Sequence, residues 1–244
     1  MELPLFRNRK GHLLDATLHP AAREDCLVVL GHGVTGNKDR PLIVGLAEAL
    51  AALGLPALRF SYAGNGGSEG RFEDATITAE GEDLEDLLDQ LPPDRRIAFV
   101  GHSMSGAVGV LTAAARPERI TWLVSLAGMV ETAAFCDREF GEVEPEKGLM
   151  WDEPDCPLSA AFVADLHGIA SIVGPAAKVT QPWLIVHGDA DDVVPIRDSR
   201  LAAGAATGLH RFLPMQGEGH MFSPSSYSII AEAIAAWMVS NPAS

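Results

Sequence analysis

Gly101-His102-Ser103-Met104-Ser105-Gly106 is the stretch of sequence that decides the fold. An apolar, strand-like run over 97–101 leads into it, and small apolar residues at helical spacing follow from 107 to 114. A serine between a strand and a helix lies on a sharp, strained turn that lifts its hydroxyl group above the sheet. The pattern therefore predicts that Ser103 is a nucleophile at the end of a buried strand.

The tightness of this turn restricts the residues two before and two after the serine to small side chains, because both approach neighbouring backbone. Gly101 meets this requirement, and Ser105 stands where such turns usually carry a second glycine. Ser105 is also the rival nucleophile, but one step inside the helix its hydroxyl is expected to point away from the turn. In the alternative interpretation, Ser103 only caps the helix.

Strand-like and helix-like segments alternate along the rest of the chain. The predicted strands cover 26–30, 57–62, 97–101, 122–126, 183–187 and 209–213, and helical stripes cover 42–53, 77–91, 107–114 and 229–237. This alternation predicts the α/β class, with one domain over 1–244 and a doubly wound, mostly parallel sheet with right-handed crossovers. Residues 3–6 and 14–19 flank a turn at 10–11, which predicts an N-terminal antiparallel hairpin.

One stretch interrupts the alternation. More than fifty residues separate Leu126 from Gln181, about twice what a simple crossover needs. The stretch carries acidic residues together with bulky apolar ones, Trp151 and Phe162 among them. A long connection of this kind is usually functional or disordered, and its aromatic residues argue against disorder. We therefore predict a short cap over the site, inserted at 129–178.

Charge and composition exclude several classes of partner. The 33 acidic and 18 basic residues give a net charge of −15, which disfavours nucleic acid and anionic membrane surfaces. Three cysteines without a CxxC pair indicate neither a disulfide framework nor a zinc site. No signal peptide is visible, and no apolar run approaches the roughly 20 residues of a membrane span. The expected protein is cytoplasmic, with no membrane partner.

A nucleophilic serine needs a base, and the base needs an acid that orients it. In this architecture the acid precedes the histidine in the chain. The segment 187–195 follows a predicted strand and offers Asp189, Asp191 and Asp192. Asp191 is favoured because it stands three residues after a glycine and two before a valine pair that resumes packing. The other two carboxylates are expected to be solvated or to cap the next helix.

The predicted base is His220. It ends the glycine-rich segment 217–220, between the last predicted strand and the closing helix, where a loop lets the imidazole reach the serine. His102 and His187 come at strand ends, where the sheet fixes their geometry. We expect these two histidines to support the site rather than to act as its base.

Acyl transfer also needs donors aimed at the developing oxyanion, each often worth about 3 kcal/mol. The segment 31–36, with the sequence GHGVTG, follows an early strand, and its three glycines permit close approach to the serine. We predict the backbone N–H groups of Val34 and Met104 as the donors. The same glycines match GxGxxG literally, but no acidic ribose partner ends the next strand. The adjoining charged cluster 38–40 is expected to be solvated.

Four blocks of sequence, in order, resemble the α/β-hydrolase superfamily over nearly the whole chain: GHGVTGNKDRP, RFSYAGNGGSEG, GHSMSG, and HGDADDVVP followed by GEGH. The first two resemble the branch of serine aminopeptidase-like hydrolases and cinnamoyl or feruloyl esterases. Three positions depart from that branch, because Val34 replaces an aromatic residue, Ser61 an aspartate and Ser105 a glycine. The resemblance implies an α/β-hydrolase fold and hydrolysis through an acyl-serine intermediate, without a metal or an organic cofactor.

The leading interpretation is a carboxylesterase acting on a small-molecule ester with a small or medium acyl group. A thioester hydrolase is one alternative. A second is a peptidase for short peptides, in which an acidic cap would attract the amino terminus of the substrate. The alternative from another class is a ligand-binding or signalling protein of the same fold with little turnover, because fold does not fix function.

Overall fold

A computed structural model describes residues 4–242 of the protein. Strands and helices alternate in this range as the sequence predicts. The strands are β1 (Ala16–His19), β2 (Cys26–Gly31), β3 (Ala57–Phe60), β4 (Arg96–His102), β5 (Trp122–Leu126), β6 (Trp183–Gly188) and β7 (His210–Met215). The helices are α1 (Pro41–Ala52), α2 (Ile77–Gln90), α3 (Met104–Ala115), α4 (Thr132–Phe140), α5 (Ala160–Ile169), α6 (Val173–Ala176), α7 (Ile196–Ala205) and α8 (Tyr227–Ser240).

The strands form one sheet in the order β1-β3-β2-β4-β5-β6-β7. Every neighbouring pair is parallel except β1 with β3. Strand β4, which leads into Ser103, is central, and Gly31 at the end of β2 lies opposite Gly101 of β4. The segments that follow β2, β4 and β6 therefore leave the same edge of the sheet, where ligands of open α/β sheets bind.

Helices cover both faces of the sheet. Successive residues of a strand point to opposite faces, so Leu27 and Val29 of β2 join one core cluster while Val28 and Leu30 join the other. Helices α1 and α8 pack together over one face, and α2 packs on α3 over the opposite face. Among residues 4–242, no helix is both long and apolar enough to cross a membrane.

The antiparallel strand at the N-terminal end of the sheet does not have the partner that the sequence predicted. Strand β1 pairs with β3, and the predicted hairpin is reduced to a bridge between Arg7 and Leu13. Leu3, in the first predicted strand, lies outside the described residues. β1 lies antiparallel beside β3 with Ala16 opposite Phe60, and the segment before it contacts α2, where Arg9 forms an ion pair with Asp86 (3.1 Å).

The segment between β5 and β6 folds into α4, α5 and α6, with a 3₁₀ turn at Met150–Asp152. Its aromatic rings pack on one another, with 4.9 Å between the ring centroids of Phe140 and Trp151 and 6.0 Å between those of Phe140 and Phe162. Trp151 has a φ of 48°, which non-glycine residues seldom adopt, and its side chain is partly exposed. The aromatic packing holds this tryptophan in a strained position.

Candidate active site

Ser103 occupies the sharp turn between β4 and α3. Its φ of 56° and ψ of −120° place it in a strained backbone conformation of the kind that clusters at functional sites. A β-carbon at Gly101 would collide with the carbonyl oxygen of Ser105, and one at Gly106 would lie 2.7 Å from Cα of Gly128. The turn can form because both positions lack a side chain.

Ser105, the rival serine, is fully buried. Its Oγ lies 2.5 Å from the hydroxyl oxygen of Tyr62, which is also fully buried. Its hydroxyl points away from the turn of Ser103, as the sequence predicts, and lies in the core. Ser103, in contrast, lines the cleft described below.

The ring of His220 stands between Ser103 and Asp191. Its Nε2 lies 3.0 Å from Oγ of Ser103, and its Nδ1 lies 2.9 Å from Oδ2 of Asp191. With the proton on Nδ1, the ring donates to the carboxylate and accepts from the serine hydroxyl, as a general base requires. The loop that carries the ring reverses at Gly217, with a φ of 75°, and Glu218 holds it by accepting hydrogen bonds from the following turn.

Asp191 is the carboxylate that reaches His220. Its Oδ1 accepts hydrogen bonds from the N–H groups of Val193 (2.9 Å) and Val194 (2.8 Å), and its Oδ2 also accepts from Nε2 of His187 (3.1 Å). Burial favours the neutral acid, but the hydrogen bonds from His187 and His220 outweigh it and hold the pKa of Asp191 well below its usual range. The carboxylate is therefore ionised and faces the histidine.

The two competing carboxylates lie elsewhere. Oδ1 of Asp189 accepts a hydrogen bond from the N–H group of Gly217 at 2.6 Å, and the side chain of Asp192 is exposed at the wall of the cleft. Within residues 4–242, His220 makes its carboxylate hydrogen bond to Asp191 and to neither neighbour. The structure thus brings together the three side chains that the sequence selected.

His102 and His187 each contact this group through a ring nitrogen. Nε2 of His102 donates to the carbonyl oxygen of His220 at 2.9 Å. Nε2 of His187 donates to the carbonyl oxygen of Val194 at 2.9 Å and also lies 3.1 Å from Oδ2 of Asp191, so the proton is on Nε2 and Nδ1 accepts from the hydroxyl of Ser199 at 2.7 Å. His102 thus contacts the loop that carries His220, and His187 contacts the carboxylate of Asp191 and the segment that follows it.

The buried imidazoles of His32 and His102 make the free energy of unfolding depend on pH. Burial lowers the pKa of His32 to about 4, and burial with repulsion from His220 lowers that of His102 to about 3. In the unfolded chain both rings bind protons near pH 6.5. Below that pH the unfolded state binds more protons, so each ring lowers the free energy of unfolding by about 1.4 kcal/mol per pH unit until the folded pKa is reached.

We therefore expect the free energy of unfolding of His102→Gln to depend less steeply on pH between 6.5 and 5 than that of the unsubstituted protein. Urea unfolding at several pH values measures both slopes. His210→Gln is the matched control, because that ring is exposed and folding does not desolvate it. Parallel slopes for His102→Gln and the unsubstituted protein would contradict this account.

Val34 and Met104, the residues predicted to supply the oxyanion donors, both lie near Ser103. Met104 follows Ser103 as the first residue of α3, and Val34 lines the same cleft as Ser103. The intervening loop touches the serine closely, since a β-carbon at Gly33 would lie 2.8 Å from Cβ of Ser103. In the described part of the chain neither N–H group donates a hydrogen bond to another residue. Both are therefore free to donate to a ligand.

Ser103, His220 and the loop of Val34 line a cleft of about 450 Å³. Its remaining walls combine apolar and charged side chains: Leu42, Ile43, Trp151, Val193 and Met221 with Arg40, Glu153 and Asp192. A cleft of this size, largely apolar with a few charged groups at its rim, is typical of small-molecule sites.

The contact between Arg40 and Glu153 is a feature of the cleft that the sequence did not predict. The Arg40 guanidinium donates to the carbonyl oxygen of Thr35 at 2.8 Å and lies 3.5 Å from Oε2 of Glu153. The hydroxyl of Thr35 donates to Oε1 of Glu153 at 3.3 Å. The segment between β5 and β6 is thereby tied to the loop that carries Val34. The local sequence gives no signal for a pair that is 113 positions apart.

The charged cluster 38–40 is solvated only in part, which corrects the prediction. Lys38 is buried, with its Nζ 3.3 Å from a carboxylate oxygen of Asp15 and 3.0 Å from one of Asp39. Arg59 of β3 forms a second ion pair with Asp39. Because Asp15 and Arg59 arrive from other parts of the chain, the pattern of residues 38–40 alone could not reveal this burial.

Curated relatives are similar in sequence to part of this chain. An uncharacterised protein of Mycobacterium tuberculosis is 31% identical over 205 residues, which cover 83% of this chain and 65% of that protein. Human palmitoyl-protein thioesterase ABHD10, mitochondrial, is 26% identical over 173 residues, which cover 66% of this chain and 55% of its own. The chain thus spans a little under two thirds of the first relative's length and about half of the second's.

Solved structures superpose on this chain over nearly its full length. Est1E from Butyrivibrio proteoclasticus, with bound ferulic acid, superposes with a TM-score of 0.80 at 25% identity, over 98% of this chain and 99% of that one. Mouse alpha/beta hydrolase domain-containing protein 10 gives a TM-score of 0.81 at 18% identity over 98% of this chain and 99% of its own, which supports the fold alone.

The sequence profile described as alpha/beta hydrolase fold matches residues 27–154, just over half of the chain. The match begins in β2 and includes the loop of Val34 and the turn of Ser103. The sheet order, with its antiparallel β1–β3 pair and helices on both faces, agrees with that fold. The chain belongs to the α/β-hydrolase fold family.

Proposed function

We propose that the protein is a serine hydrolase that cleaves carboxylic esters of small or medium acyl groups. The observation that carries this proposal is the ring of His220, which lies 3.0 Å from Oγ of Ser103 and 2.9 Å from Oδ2 of Asp191. The free N–H groups beside the serine and the cleft above it supply the other requirements of acyl transfer.

In the acylation step, Oγ of Ser103 attacks the carbonyl carbon of the ester while Nε2 of His220 takes the hydroxyl proton. The carbonyl oxygen becomes an oxyanion that accepts hydrogen bonds from the N–H groups of Val34 and Met104. Asp191 stabilises the imidazolium through Nδ1. His220 then returns the proton to the leaving alcohol as the carbon–oxygen bond breaks, and the acyl group remains on Ser103.

In the deacylation step, water takes the place of the alcohol. Nε2 of His220 removes one proton as the water oxygen attacks the acyl carbon, and the same two N–H groups hold the second oxyanion. Collapse of this intermediate releases the carboxylic acid and returns the proton to Oγ of Ser103. The cycle uses this chain's own side chains and N–H groups.

The shape of the cleft supports an ester with apolar parts. Leu42, Ile43 and Met221 supply apolar wall area, and Trp151 and Glu153, from the segment between β5 and β6, also line the cleft. We propose that 129–178 acts as a cap over the substrate. Est1E, whose structure holds ferulic acid, is a relative consistent with an ester substrate.

A thioester hydrolase is the second candidate function. The observation that favours it is the 26% identity with human palmitoyl-protein thioesterase ABHD10. The same serine, histidine and donors would serve a thioester, because its carbonyl carbon forms the same kind of tetrahedral intermediate. The two candidates differ in the leaving group that the cleft accepts.

Parallel rate measurements on matched substrates test the proposal. Aryl acetate, butyrate and octanoate esters, the corresponding thioesters and an aminoacyl anilide present different leaving groups and acyl lengths to one site. We expect kcat/KM to be highest for acetate or butyrate esters and lowest for the anilide. Faster cleavage of the thioesters would favour the second candidate. Faster cleavage of the anilide would overturn both in favour of a peptidase.

A further inference from the structure

A buried chain of hydrogen bonds joins the turn of Ser103 to the loop of Val34. Oγ of Ser105 lies 2.5 Å from the hydroxyl oxygen of Tyr62, and the backbone N–H of Tyr62 donates to Nε2 of His32 at 3.2 Å. Nδ1 of His32 lies 3.0 Å from the carbonyl oxygen of Gly33. The side chains of all three residues are at most 1% exposed, so water does not compete for these bonds.

The partners of His32 fix where its proton lies. The N–H group of Tyr62 can only donate, so Nε2 of His32 accepts and Nδ1 carries the proton. Nδ1 therefore donates to the carbonyl oxygen of Gly33, which also accepts from the N–H group of Gly36 at 3.0 Å. Burial lowers the pKa of His32 to about 4, so the ring keeps this single neutral form at neutral pH.

Holding the carbonyl group of Gly33 also aims the N–H group of Val34. The two groups belong to one planar trans peptide, in which C=O and N–H point in opposite directions. His32 and Gly36 occupy the carbonyl side, so the N–H group points away from them. The same loop contacts Ser103 through Gly33 and lines the cleft. The ring of His32 thus controls the direction of one proposed oxyanion donor.

At the other end of this series of hydrogen bonds, Ser105 lies next to Met104, whose N–H group is the second proposed donor. Ser105 follows Met104 in the first turn of α3, so its hydroxyl bond to Tyr62 ties the start of this helix to the segment after β3. Strand β2 leaves room for the pair, because a β-carbon at Gly31 would collide with Oγ of Ser105 and lie 2.6 Å from the Tyr62 hydroxyl. The hydroxyl pair depends on serine at a position where glycine is usual for this turn.

We propose that Ser105, Tyr62 and His32 are positioning residues that set the spacing between the N–H groups of Val34 and Met104. This inference rests on the proposed function, because it assigns a role in holding the oxyanion. The hydrogen bond between Ser105 and Tyr62 holds the start of α3, and the ring of His32 holds the loop of Val34. Loss of either link leaves both donors in place but lets their separation vary.

Single-atom variants test the proposal. Tyr62→Phe and Ser105→Ala each remove one hydroxyl of the same pair. We expect each to lower kcat about tenfold, less than the 10²–10³-fold of a deleted oxyanion donor, with KM unchanged. The double variant is expected to match the single ones, because both remove the same link. Affinity for a boronic acid that forms a tetrahedral adduct on the serine should fall in parallel with kcat.

Two further variants separate positioning from folding. Gln181→Met removes hydrogen bonds from the side-chain amide to the carbonyl oxygens of Ala113 (3.0 Å) and Pro117 (3.2 Å), at the opposite edge of the sheet, and should lower thermal stability with kcat unchanged. His32→Asn keeps a donor near Nδ1 and should retain more kcat than His32→Ala. Each rate is measured at a temperature where circular dichroism shows the variant to be fully folded.

The outcomes are distinct. Parallel losses of kcat and boronic acid affinity in Tyr62→Phe and Ser105→Ala support the proposal. Lower thermal stability with unchanged kcat, or a change confined to KM, would overturn it while leaving the proposed function in place. If the unsubstituted protein neither hydrolyses esters nor binds the boronic acid, the proposed function fails and this inference fails with it.

Discussion

Ser103→Ala is expected to lower kcat for ester hydrolysis by about 10⁵–10⁶-fold while the fold stays intact. The oxyanion donors remain in this variant, but no oxygen is left to attack the substrate. The rival hydroxyl of Ser105 cannot substitute for it, because it is fully buried and bonded to Tyr62. Steady-state rates on an aryl acetate, with circular dichroism on the same sample, measure both parts of the expectation.

Ser105→Ala is the matched control for this variant, because it removes a hydroxyl two positions further along the same turn. The two substitutions should differ in kcat by several orders of magnitude. If Ser103→Ala kept its rate within tenfold of the unsubstituted protein, Ser103 would not be the nucleophile. The proposed acyl-serine intermediate would then be wrong.

Asp191→Asn is expected to lower kcat by about 10³–10⁴-fold. An ionised carboxylate at this position holds the proton on Nδ1 of His220, so that Nε2 can accept from the serine. An amide that accepts from the N–H groups of Val193 and Val194 turns its NH₂ group towards His220 and favours the opposite tautomer. The variant should also lose stability, because His187 loses its charged partner.

Asp189→Asn and Asp192→Asn are the matched controls. Each makes the same chemical change within two positions of Asp191, and neither carboxylate contacts His220 in the described structure. Their kcat values should stay within about threefold of the unsubstituted protein, because an amide in place of either carboxylate leaves the hydrogen bonds of His220 intact. An equal loss in Asp192→Asn would contradict the assignment of the orienting carboxylate to Asp191 alone.

The residues of this site that could be predicted are those marked by a pattern within one short stretch of sequence. Ser103 could be located because a strand, a tight turn and a helix follow one another within twenty residues. Asp191 and His220 could be placed because each follows a strand that ends at the same edge of a parallel sheet. Chain order and sheet geometry together bring these residues to one point, although more than a hundred positions separate the first from the last.

The parts that could not be predicted depend on contacts between distant segments. Lys38 appears in the sequence as one charge in a polar cluster, and its buried ion pair with Asp15 depends on the distant N-terminal segment. Strand β1 pairs with β3, which is distant in the sequence, rather than with the segment that directly precedes it. The bond between Ser105 and Tyr62 links two motifs that looked independent in the sequence.

The most direct test of the central claim is to label the folded protein with a fluorophosphonate and to map the modified residue by mass spectrometry. We predict one adduct, at Ser103, formed in the unsubstituted protein and lost in His220→Ala. That result would establish a serine activated by His220. An adduct at another residue, or no adduct in protein shown to be folded, would contradict the account and favour a binding protein that uses the same fold.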